Sequence, residues 1–368
     1  MSGRATGPGA PRVELCRDDE AFAALADDWG RLYRRCRSVT AFQSHAWLHS
    51  WWVSYGRPGR LRMVLVRDAD GELLAAAPLM LLRAPLPTLV PLGGAISDFT
   101  DVLLDDERAE PAARALAHGL ADAARTALVD LREVRPGGAA ERVYACWSGP
   151  RRALPDSLCL ELPALPMDDL VARLPTPRAQ RARAKMRKID ALGVQRRVVG
   201  ADEAEGAVRT LLDLHRLQWQ GRKVTTEHLR PRFCEHLIRS VGPMVRSGAA
   251  VVTEFRLDDT VVAADLTLLA PGLTGGYLYG AHPGLRERKV DVATMLLHAS
   301  TEHLSGGTLS LLRGNEPYKH HWRPTEVTNQ RFLLARRRTA PLLAAALCNA
   351  KARTHAKELL RRNREASA

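Results

Sequence analysis

The densest group of ionisable side chains in this sequence lies in the segment Leu311–Trp322, L-L-R-G-N-E-P-Y-K-H-H-W. An arginine, a glutamate, a tyrosine, a lysine and two histidines fall within nine residues of one another. The segment overlaps the end of Thr308–Leu312, a short apolar stretch that predicts a strand. Such a density at a strand end is unusual for a plain connector, because loops on a rigid scaffold commonly carry function. We therefore predict a functional site here.

A second loop, Pro91–Leu104, has the sequence P-L-G-G-A-I-S-D-F-T-D-V-L-L and combines acidic side chains with adjacent glycines. Asp98 and Asp101 stand just before an apolar run that is typical of a strand. Gly93 and Gly94 would allow another segment to approach the backbone closely. Both loops thus have the composition expected of a site.

Neither the histidines nor the cysteines are spaced as metal ligands. His320 and His321 are adjacent, so in an extended segment they point to opposite sides. The six cysteines are scattered without any C-x-x-C pair, which argues against structural zinc and against a disulfide framework. We therefore expect no metal, and reduced, mostly buried thiols.

Two similar strand–turn–strand segments would position these loops. Leu61–Leu82 contains R-M-V-L-V-R, a D-A-D-G-E turn and L-L-A-A-A-P-L-M-L-L, and Ala249–Leu269 contains A-V-V-T-E-F-R-L, D-D-T and V-V-A-A-D-L-T-L-L. Aliphatic and β-branched residues around a short Asp/Gly turn predict a hairpin in each. When Gly71 is matched to Asp259, the hairpins are 188 residues apart. Two copies of one domain plan explain this repeat, and chance similarity between common hairpins is the alternative.

Helical periodicity between the strands predicts a mixed α/β fold. The segments with apolar residues at helical spacing are Glu20–Arg35, Ser44–Tyr55, Glu110–Leu128, Ala204–Gln220 and Asp291–Leu304. Trp47 and Trp51 fall on one helical face, which favours a core position over a ligand platform. The proline-rich segment Leu162–Pro177 predicts a hinge. A basic helix should follow it, with Pro177 in its first turn and Gly193 at its end.

These patterns divide the chain into four parts. We predict a disordered lead-in at 1–11, a first domain at 12–165, a second domain at 166–335 that begins with the hinge and the basic helix, and a basic helical tail at 336–368. No apolar run reaches the roughly 20 residues of a membrane-spanning helix, and the N-terminus lacks the apolar core of a signal peptide. We therefore expect a cytoplasmic protein.

The positive charge of the chain is concentrated in two segments. The net charge is +13, with nine Arg or Lys against one acidic residue in Arg173–Arg197 and nine against two in Arg336–Ala368. Such segments can bind nucleic acid such as tRNA, an anionic membrane surface or an acidic substrate. A solvated basic appendage is the simpler interpretation of the tail. Neither segment interleaves aromatic residues with its cations as single-strand binders do.

Taken together, these segments resemble a known family. The pattern L-x-G-x-E-x-Y-K-x-x-W after a strand resembles the closing motif of the BioF2-like acetyltransferases, the CelD/BcsL-type proteins of the GNAT superfamily. The segment Phe42–Trp52 is similar to the family's tryptophan helix, Ser97–Leu104 to its D-aromatic-x-D loop, and Leu212–Arg222 and the basic helix also have counterparts. The resemblance covers about residues 40–335 and implies tandem GNAT-like domains. It is most specific at Gly314, Glu316, Tyr318, Lys319 and Trp322.

The resemblance implies an enzyme that moves an acyl group directly from a coenzyme A thioester, with acetyl-CoA as the expected donor. The acceptor would be an amine or a hydroxyl of a sugar, a polysaccharide precursor or a small amine. Such a reaction needs a base, a donor to the oxyanion and an acid for the thiolate. Glu316 or Asp98 would be the base, and Tyr318 would donate to the thiolate. Lys319 would hold a phosphate or stabilise negative charge, unless it only forms an ion pair with Glu316 that holds the halves together. The substrate-binding residues would be Asp101, Arg313, Asn315 and Trp322.

The chain departs from the family at the expected phosphate site. Family members usually open the helix after the Y-x-G-x-x-P strand with a small residue and Pro-Gly, and free N–H groups at a helix N-terminus favour anions. Here Val290 and Asp291 replace Pro-Gly, and an aspartate at that point would repel phosphate. The expected compensating, cofactor-binding residues are Arg286, Arg288 and Lys289.

Two other functions are compatible with the sequence. An aminoacyl-tRNA-dependent transferase of the Fem type has a related tandem layout and a similar lysine loop, and the basic segments would suit tRNA. The chain has no long coiled-coil insertion, which argues against it. A non-catalytic member that acts at a membrane surface or in a complex would explain the change at Asp291, since fold alone does not determine function.

Overall fold

The computed structural model describes residues 11–221, 225–304 and 306–352 of the chain. In the first half, aliphatic and β-branched runs form strands and amphipathic segments form helices. In chain order these elements are β1 (Arg12–Cys16), α1 (Asp19–Ala24), α2 (Ala26–Arg35), α3 (His45–Tyr55), β2 (Leu61–Arg67), β3 (Leu73–Leu82), β4 (Thr88–Pro91), β5 (Leu103–Leu104), α4 (Ala109–Ala123), β6 (Leu128–Val134), α5 (Ala139–Cys146) and β7 (Arg151–Pro163).

The second half repeats this alternation of helices and strands. Its elements are α6 (Met167–Ala172), α7 (Thr176–Ala191), β8 (Gln195–Val198), α8 (Ala204–Gln218), α9 (Pro231–Arg246), β9 (Ala250–Leu257), β10 (Thr260–Ala270), β11 (Leu273–Ala281), α10 (Gly284–Glu287), α11 (Val292–Thr301), β12 (Thr308–Arg313) and β13 (Thr325–Leu334). Residues 340–352 are helical as well.

The strands form one continuous sheet in the order β1-β2-β3-β4-β6-β13-β7-β12-β11-β10-β9-β8, and β5 pairs with β3. The central strands β13 and β7 are antiparallel to each other. On either side of them lies a short parallel pair, β4 with β6 in the first half and β11 with β12 in the second. The two halves therefore repeat one plan around the central pair. The predicted fold class, mixed α/β, is confirmed.

The two halves exchange their last strands. β13 comes from the second half but pairs with β6, and β7 comes from the first half but pairs with β12. Each central strand thus completes the other half of the sheet. The domain boundary at residue 165 remains a prediction. The sheet itself is continuous and contains strands from both sides of that residue.

Most predicted elements are present, with two differences. Both hairpins form, as β2–β3 and β9–β10. The segment Glu20–Arg35 is not one helix but two, because the N–H of Leu25 bonds to the carbonyl of Phe22, three residues back, at 3.2 Å. Leu128 belongs to β6 instead of α4, since it pairs with Thr88 of β4.

The basic helix α7 forms where it was predicted. Pro177 lies in its first turn, and Gly193 follows its end with a φ of +68°. Ala179 and Ala182 are its buried residues and pack in a small cluster with Val171 of α6. Because this apolar contact is narrow, the cationic side chains of α7 remain on the surface.

The main core spans both halves of the chain. Trp47 and Trp51 are buried in it, in agreement with the core position predicted for them. The helix at 340–352 packs Leu343 against Leu128 and Leu333. Residues 1–10 of the predicted lead-in and 353–368 of the predicted tail lie outside the described residues. Of the helices that the structure does describe, none is long and apolar enough to cross a bilayer.

Candidate active site

The loop after β12 is shaped by an abrupt change in backbone direction. Leu312 has a φ of +60° and Gly314 a φ of +108°. The side chain of Glu316 folds over Gly314, where a Cβ would lie 2.5 Å from Oε1. Only glycine fits both this backbone conformation and this contact. The sequence G-N-E therefore holds the loop close to the end of β12.

Arg313 joins this loop to the first half of the chain. Its Nε donates to Asp98 Oδ1 at 3.0 Å, its Nη1 lies 3.1 Å from Glu133 Oε1, and its Nη2 donates to the Ala95 carbonyl at 2.8 Å. Burial raises the pKa of the Asp98 carboxyl, although the guanidinium opposes that shift. One arginine thus binds two carboxylates. Arg313 and Asp98 were predicted to belong to the site, and the structure brings them together.

Glu133 and Asn329 belong to this cluster but were not predicted. Asn329 of β13 is 0% exposed, and its Nδ2 donates to Glu133 Oε2 at 3.0 Å. Its Oδ1 is buried and has no hydrogen-bond partner within the described ranges. Ser157 of β7 also donates to Glu133. Nothing in the sequence singled out Glu133, because its strand β6 has the sequence L-V-D-L-R-E-V with three charged residues. Its partners Asn329 and Ser157 lie on the two exchanged central strands, far away in sequence.

Lys319 is buried inside the loop, with 6% of its surface exposed. Its Nζ donates to the carbonyl of Arg313 at 2.9 Å and pairs with Glu316 Oε2 at 2.8 Å. Glu316 itself is half exposed. This ion pair lies within one loop and does not link the two halves. It ties the far end of the loop to the end of β12.

A cleft of about 320 Å³ opens beside the loop. Tyr318, His321 and Trp322 line one side, and the rest of its lining comes from the first turn of α11 and from α6–α7. Its cations lie on α7 and are Arg178, Arg181 and Lys185. Tyr318 is 50% exposed, yet partial burial and the neighbouring Glu316 raise its pKa to about 12. The phenol therefore keeps its proton at neutral pH.

Asp291 stands at the first turn of α11, at the end of this cleft. Its Oδ1 accepts the Thr294 N–H at 2.9 Å, and its Oδ2 lies 2.5 Å from Lys185 Nζ. Burial would raise the pKa of this carboxyl, but Lys185 and Thr294 lower it overall. The charge of Asp291 is thus compensated by α7. It also occupies an N–H group at the helix N-terminus that a phosphate would otherwise take.

The three cations that were predicted to bind a cofactor do not lie in the cleft. Arg286, Arg288 and Lys289 are exposed on and just after α10, and they do not line the cleft. The lining cations come instead from α7, which the sequence identified only as a basic surface. Packing of α7 against α11 brings them there.

Two predicted substrate-binding residues lie apart from the Arg313 cluster. Asp101 accepts the N–H groups of Ala139 at 2.7 Å and Ala140 at 2.8 Å, so its carboxylate caps the N-terminus of α5. Asn315 contacts His320 on the exposed side of the loop. Trp322, in contrast, lines the cleft and packs against the apolar cluster beneath α6 and α7.

The strands β11 and β12 separate next to the cleft. Their parallel pairing covers only Leu273–Gly275 and Thr308–Ser310, whereas the pairing of β12 with β7 continues to Arg313. Because β12 leads into the Tyr318 loop and β11 leads towards α11, the gap between the two strands widens towards the cleft. A ligand in the cleft could therefore extend between them.

A bulge in β11 lies at the point of separation. Gly276 pairs with Thr267 of β10, and the register shifts by one residue immediately afterwards, which leaves Tyr277 as the extra residue. The hydroxyl of Tyr277 donates to the carbonyl of Ile96 at 2.8 Å. The first half therefore contacts β11 and β12 through one loop that carries both Ile96 and Asp98.

Comparison with known proteins identifies the region around this cleft. Residues 177–320 match the family model described as the acetyltransferase (GNAT) domain. The chain carries a GNAT acetyltransferase domain. This domain supports the predicted enzyme class, an acyltransferase, and it includes α7, α11 and most of the Tyr318 loop. No curated protein sequence matches the chain.

Solved structures extend the likeness in fold to most of the chain. FemX is 11% identical, with a TM-score of 0.59 over 86% of this chain and 98% of its own. A conserved protein of unknown function from Bacteroides thetaiotaomicron is 10% identical, with a TM-score of 0.57 over 88% of this chain and all of its own. L-PGS from Bacillus licheniformis is 11% identical, with a TM-score of 0.53 over 89% and 95%. At these identities the likeness shows the fold alone.

No group of three or more His, Cys, Asp or Glu side chains suited to a metal ion occurs within the described ranges. The six cysteines all lie in those ranges and are free thiols.

Proposed function

We propose that the chain transfers an acyl group from an acyl-CoA, with acetyl-CoA as the simplest donor, to an amine or hydroxyl of a sugar, polysaccharide precursor or small amine. The observation that carries this proposal is the cleft within the GNAT domain. It combines three α7 cations with a protonated phenol, and it lies between the loop after β12 and the start of α11, next to the gap between β11 and β12. Cations at the mouth suit the phosphates of a coenzyme, and the gap suits its thioester arm.

The donor phosphates are assigned to Arg178 and Arg181. Neither has an ion-pair partner in the part of the chain that the structure describes, so both guanidinium groups can bind phosphate bidentately. Lys185 neutralises Asp291 and reduces the repulsion that this aspartate would otherwise exert. Arg286, Arg288 and Lys289 remain predicted contacts to the donor.

The transfer step is direct. The acceptor nitrogen or oxygen attacks the thioester carbonyl and loses a proton, the C–S bond breaks, and the thiolate takes a proton from Tyr318. Asp98 is the preferred base, because burial raises its pKa and so strengthens it. Glu316 is the second candidate base, and it pairs with Lys319 within the loop. Lys319 orients the loop that carries Tyr318.

Calorimetry with coenzyme A tests the donor assignment. We expect the variant Arg178→Ala/Arg181→Ala to bind coenzyme A about tenfold to thirtyfold more weakly than the unchanged protein. Arg183→Ala/Arg187→Ala is the matched control, because both residues are exposed on α7 outside the cleft. The control should bind normally. Absence of binding to the unchanged protein at millimolar coenzyme A would contradict the proposal.

An aminoacyl-tRNA-dependent, Fem-like activity is the second candidate. The similarity in fold to FemX and the exposed cations of α7 favour it, since Arg183, Arg187 and Lys188 have no carboxylate partner within the described ranges. A salt-sensitive shift of tRNA in a gel would support this function if it disappears when Arg181, Arg183 and Arg187 are changed together. An intact shift in that variant would exclude α7 as the binding surface.

Two finer assignments belong to the same proposal. The closing motif supports placing the chain with the BioF2-like, CelD/BcsL-type acetyltransferases. The free thiols support a reducing compartment such as the cytoplasm.

A further inference from the structure

A carboxylate lies buried in the middle of β10. Asp265 is 3% exposed and faces Thr253 of β9 and Tyr279 of β11 in the strand register. Its Oδ2 accepts the Thr267 hydroxyl at 2.6 Å. The same hydroxyl lies 3.4 Å from Ser300 Oγ of α11. The side chain of Asp265 therefore lies between the sheet and α11, among neutral polar groups.

This carboxylate has no cationic partner. Asp265 forms no ion pair, and its Oδ1 accepts no hydrogen bond, within the part of the chain that the structure describes. Burial alone raises the pKa of this carboxyl to about 7. A buried carboxylate without a counter-ion is unfavourable, and binding of a cation would remove that cost. Of the other buried carboxylates, Asp105 has arginine partners and Asp101 accepts three backbone N–H groups.

Gly276 lies at the surface beside this carboxylate. It is exposed, and a Cβ built on it would lie 3.9 Å from Asp265 Oδ1 and 3.7 Å from Ser300 Oγ. Both values are ordinary van der Waals contacts, so a side chain would fit here. The backbone does not require glycine at this position, so an alanine would add a methyl group beside Asp265 and hinder the approach of a ligand to it.

Gly276 and the cleft lie along the same helix, because Ser300 beside Gly276 and Thr294 in the cleft both belong to α11. Gly276 is the first residue of β11 beyond the parallel pairing with β12. Ser300 lies six residues after Thr294 on α11, about 9 Å along the helix axis. A ligand that lies along α11 would thus have one end among Arg178, Arg181 and Lys185 and the other end at Asp265. This path is cationic at the mouth and anionic at the inner end.

We propose that Asp265, Thr267 and Ser300 form a subsite for an ammonium group carried by the transferred acyl group. The inference rests on the proposed function, because the acyl end of the donor must reach the inner end of the path. Asp265 would supply the counter-charge, and the hydroxyls of Thr267 and Ser300 would accept further N–H groups. A ligand with phosphates at one end and an ammonium at the other matches the charges of the path.

An isosteric pair of donors tests this subsite. β-Alanyl-CoA and butanoyl-CoA have acyl chains of the same length and differ in a terminal ammonium or methyl group. At pH 8, where Asp265 is ionised, we expect calorimetry to show at least about tenfold tighter binding of β-alanyl-CoA. Asp265→Asn should bind both equally. Asp190→Asn, which removes an exposed carboxylate from α7, is the matched control and should keep the preference.

A second variant separates loss of the subsite from loss of the fold. Gly276→Ala should keep or raise Tm, because it reduces the freedom of the unfolded chain without a clash. It should bind β-alanyl-CoA no better than butanoyl-CoA. Gly206→Ala, on an open face of α8, is its control and should leave the preference unchanged.

The corresponding pantetheine thioesters lack the nucleotide of coenzyme A. Measuring their binding distinguishes failure of the coenzyme A proposal from failure of the ammonium subsite. Preference for β-alanyl-pantetheine without any binding of CoA thioesters would overturn the coenzyme A proposal and support the subsite. Equal or undetectable binding of the two pantetheine thioesters, together with equal binding of the two CoA thioesters, would overturn the subsite.

Discussion

The two halves of the sheet follow one plan, yet the gap beside the parallel pair is closed in the first half and open in the second. In the first half the loop after β4 returns to β6, where the N–H of Thr100 donates to the carbonyl of Glu133 at 3.0 Å. In the second half β11 continues to Ala281, and the chain after it bonds back to β10, where the N–H of His282 donates to the carbonyl of Val262 at 2.8 Å. Although both halves have the same fold, we therefore assign the candidate donor site to the second half.

Buried carboxylates show the same contrast. Asp105 of the first half is fully buried and contacts Arg35 at 3.0 Å and Arg108 at 3.0 Å. Asp265 of the second half has no such partner among the residues that the structure describes, and the matched position in the first hairpin is Ala77. In the first half Asp105 is compensated by arginines and Asp101 by backbone N–H groups, whereas the structure describes only one hydroxyl donor for Asp265. We therefore expect ligand binding in the half of the sheet where a buried carboxylate has only one described donor and the gap beside the parallel pair is not bridged in the same way.

The largest expected effect concerns the junction of the halves. Arg313→Ala leaves Asp98 and Glu133 buried without their shared cation, and we expect a loss of about 4 kcal/mol in the free energy of unfolding. Urea denaturation measures it. Arg132→Ala breaks a half-exposed pair with Asp156 and should cost less than about 1 kcal/mol. Similar losses in the two variants would show that Arg313 does not hold the halves together.

A pH titration of stability sharpens the contrast between Asp105 and Asp265. The pKa of Asp265 is raised from 3.8 to about 7, so the folded state binds its proton more tightly than the unfolded state. Stability contributed by the protonated form is lost as pH rises from about 4 to 7. Asp265→Asn should therefore gain roughly 3 kcal/mol relative to the unchanged protein between those pH values. A difference independent of pH would contradict the shift.

A tyrosine of the second half should control the rate, whereas a tyrosine of the first half should not. Tyr318→Phe removes the proposed acid, and we expect kcat for thiol release to fall about 100-fold with little change in the Kd of coenzyme A. Because the pKa of Tyr318 is about 12, its loss of a proton should not reduce the rate below pH 10. Tyr144→Phe in the first half is the control tyrosine. Equal kcat in the two variants would remove Tyr318 from the mechanism.

The smallest expected effect concerns the closed half. Asp105→Asn should destabilise the protein by about 2 kcal/mol, because Arg35 and Arg108 lose a buried partner. It should leave the Kd of coenzyme A unchanged, as measured by calorimetry. A weakened Kd would show that the first half also contributes to donor binding.

Local pattern predicted the parts of the site but not their assembly. The loops with Asp98 and Arg313 were identified from composition, and the two are 215 residues apart in sequence yet share hydrogen bonds. Glu133 was missed because its strand carries other charges. Asp265 stands out in V-V-A-A-D-L-T-L-L as a break in an apolar strand, but its lack of a cation depends on packing that no pattern reveals.

The sequence by itself determined the hairpins, most helices, the basic segments and the closing motif, because periodicity and turn chemistry act over a few residues. Only the tertiary structure decided which half keeps an open gap, that β7 and β13 are exchanged, and that α7 supplies the cations of the cleft. These outcomes depend on contacts between segments far apart in the chain. Their free energies come from burial and charge pairing, which local spacing does not encode.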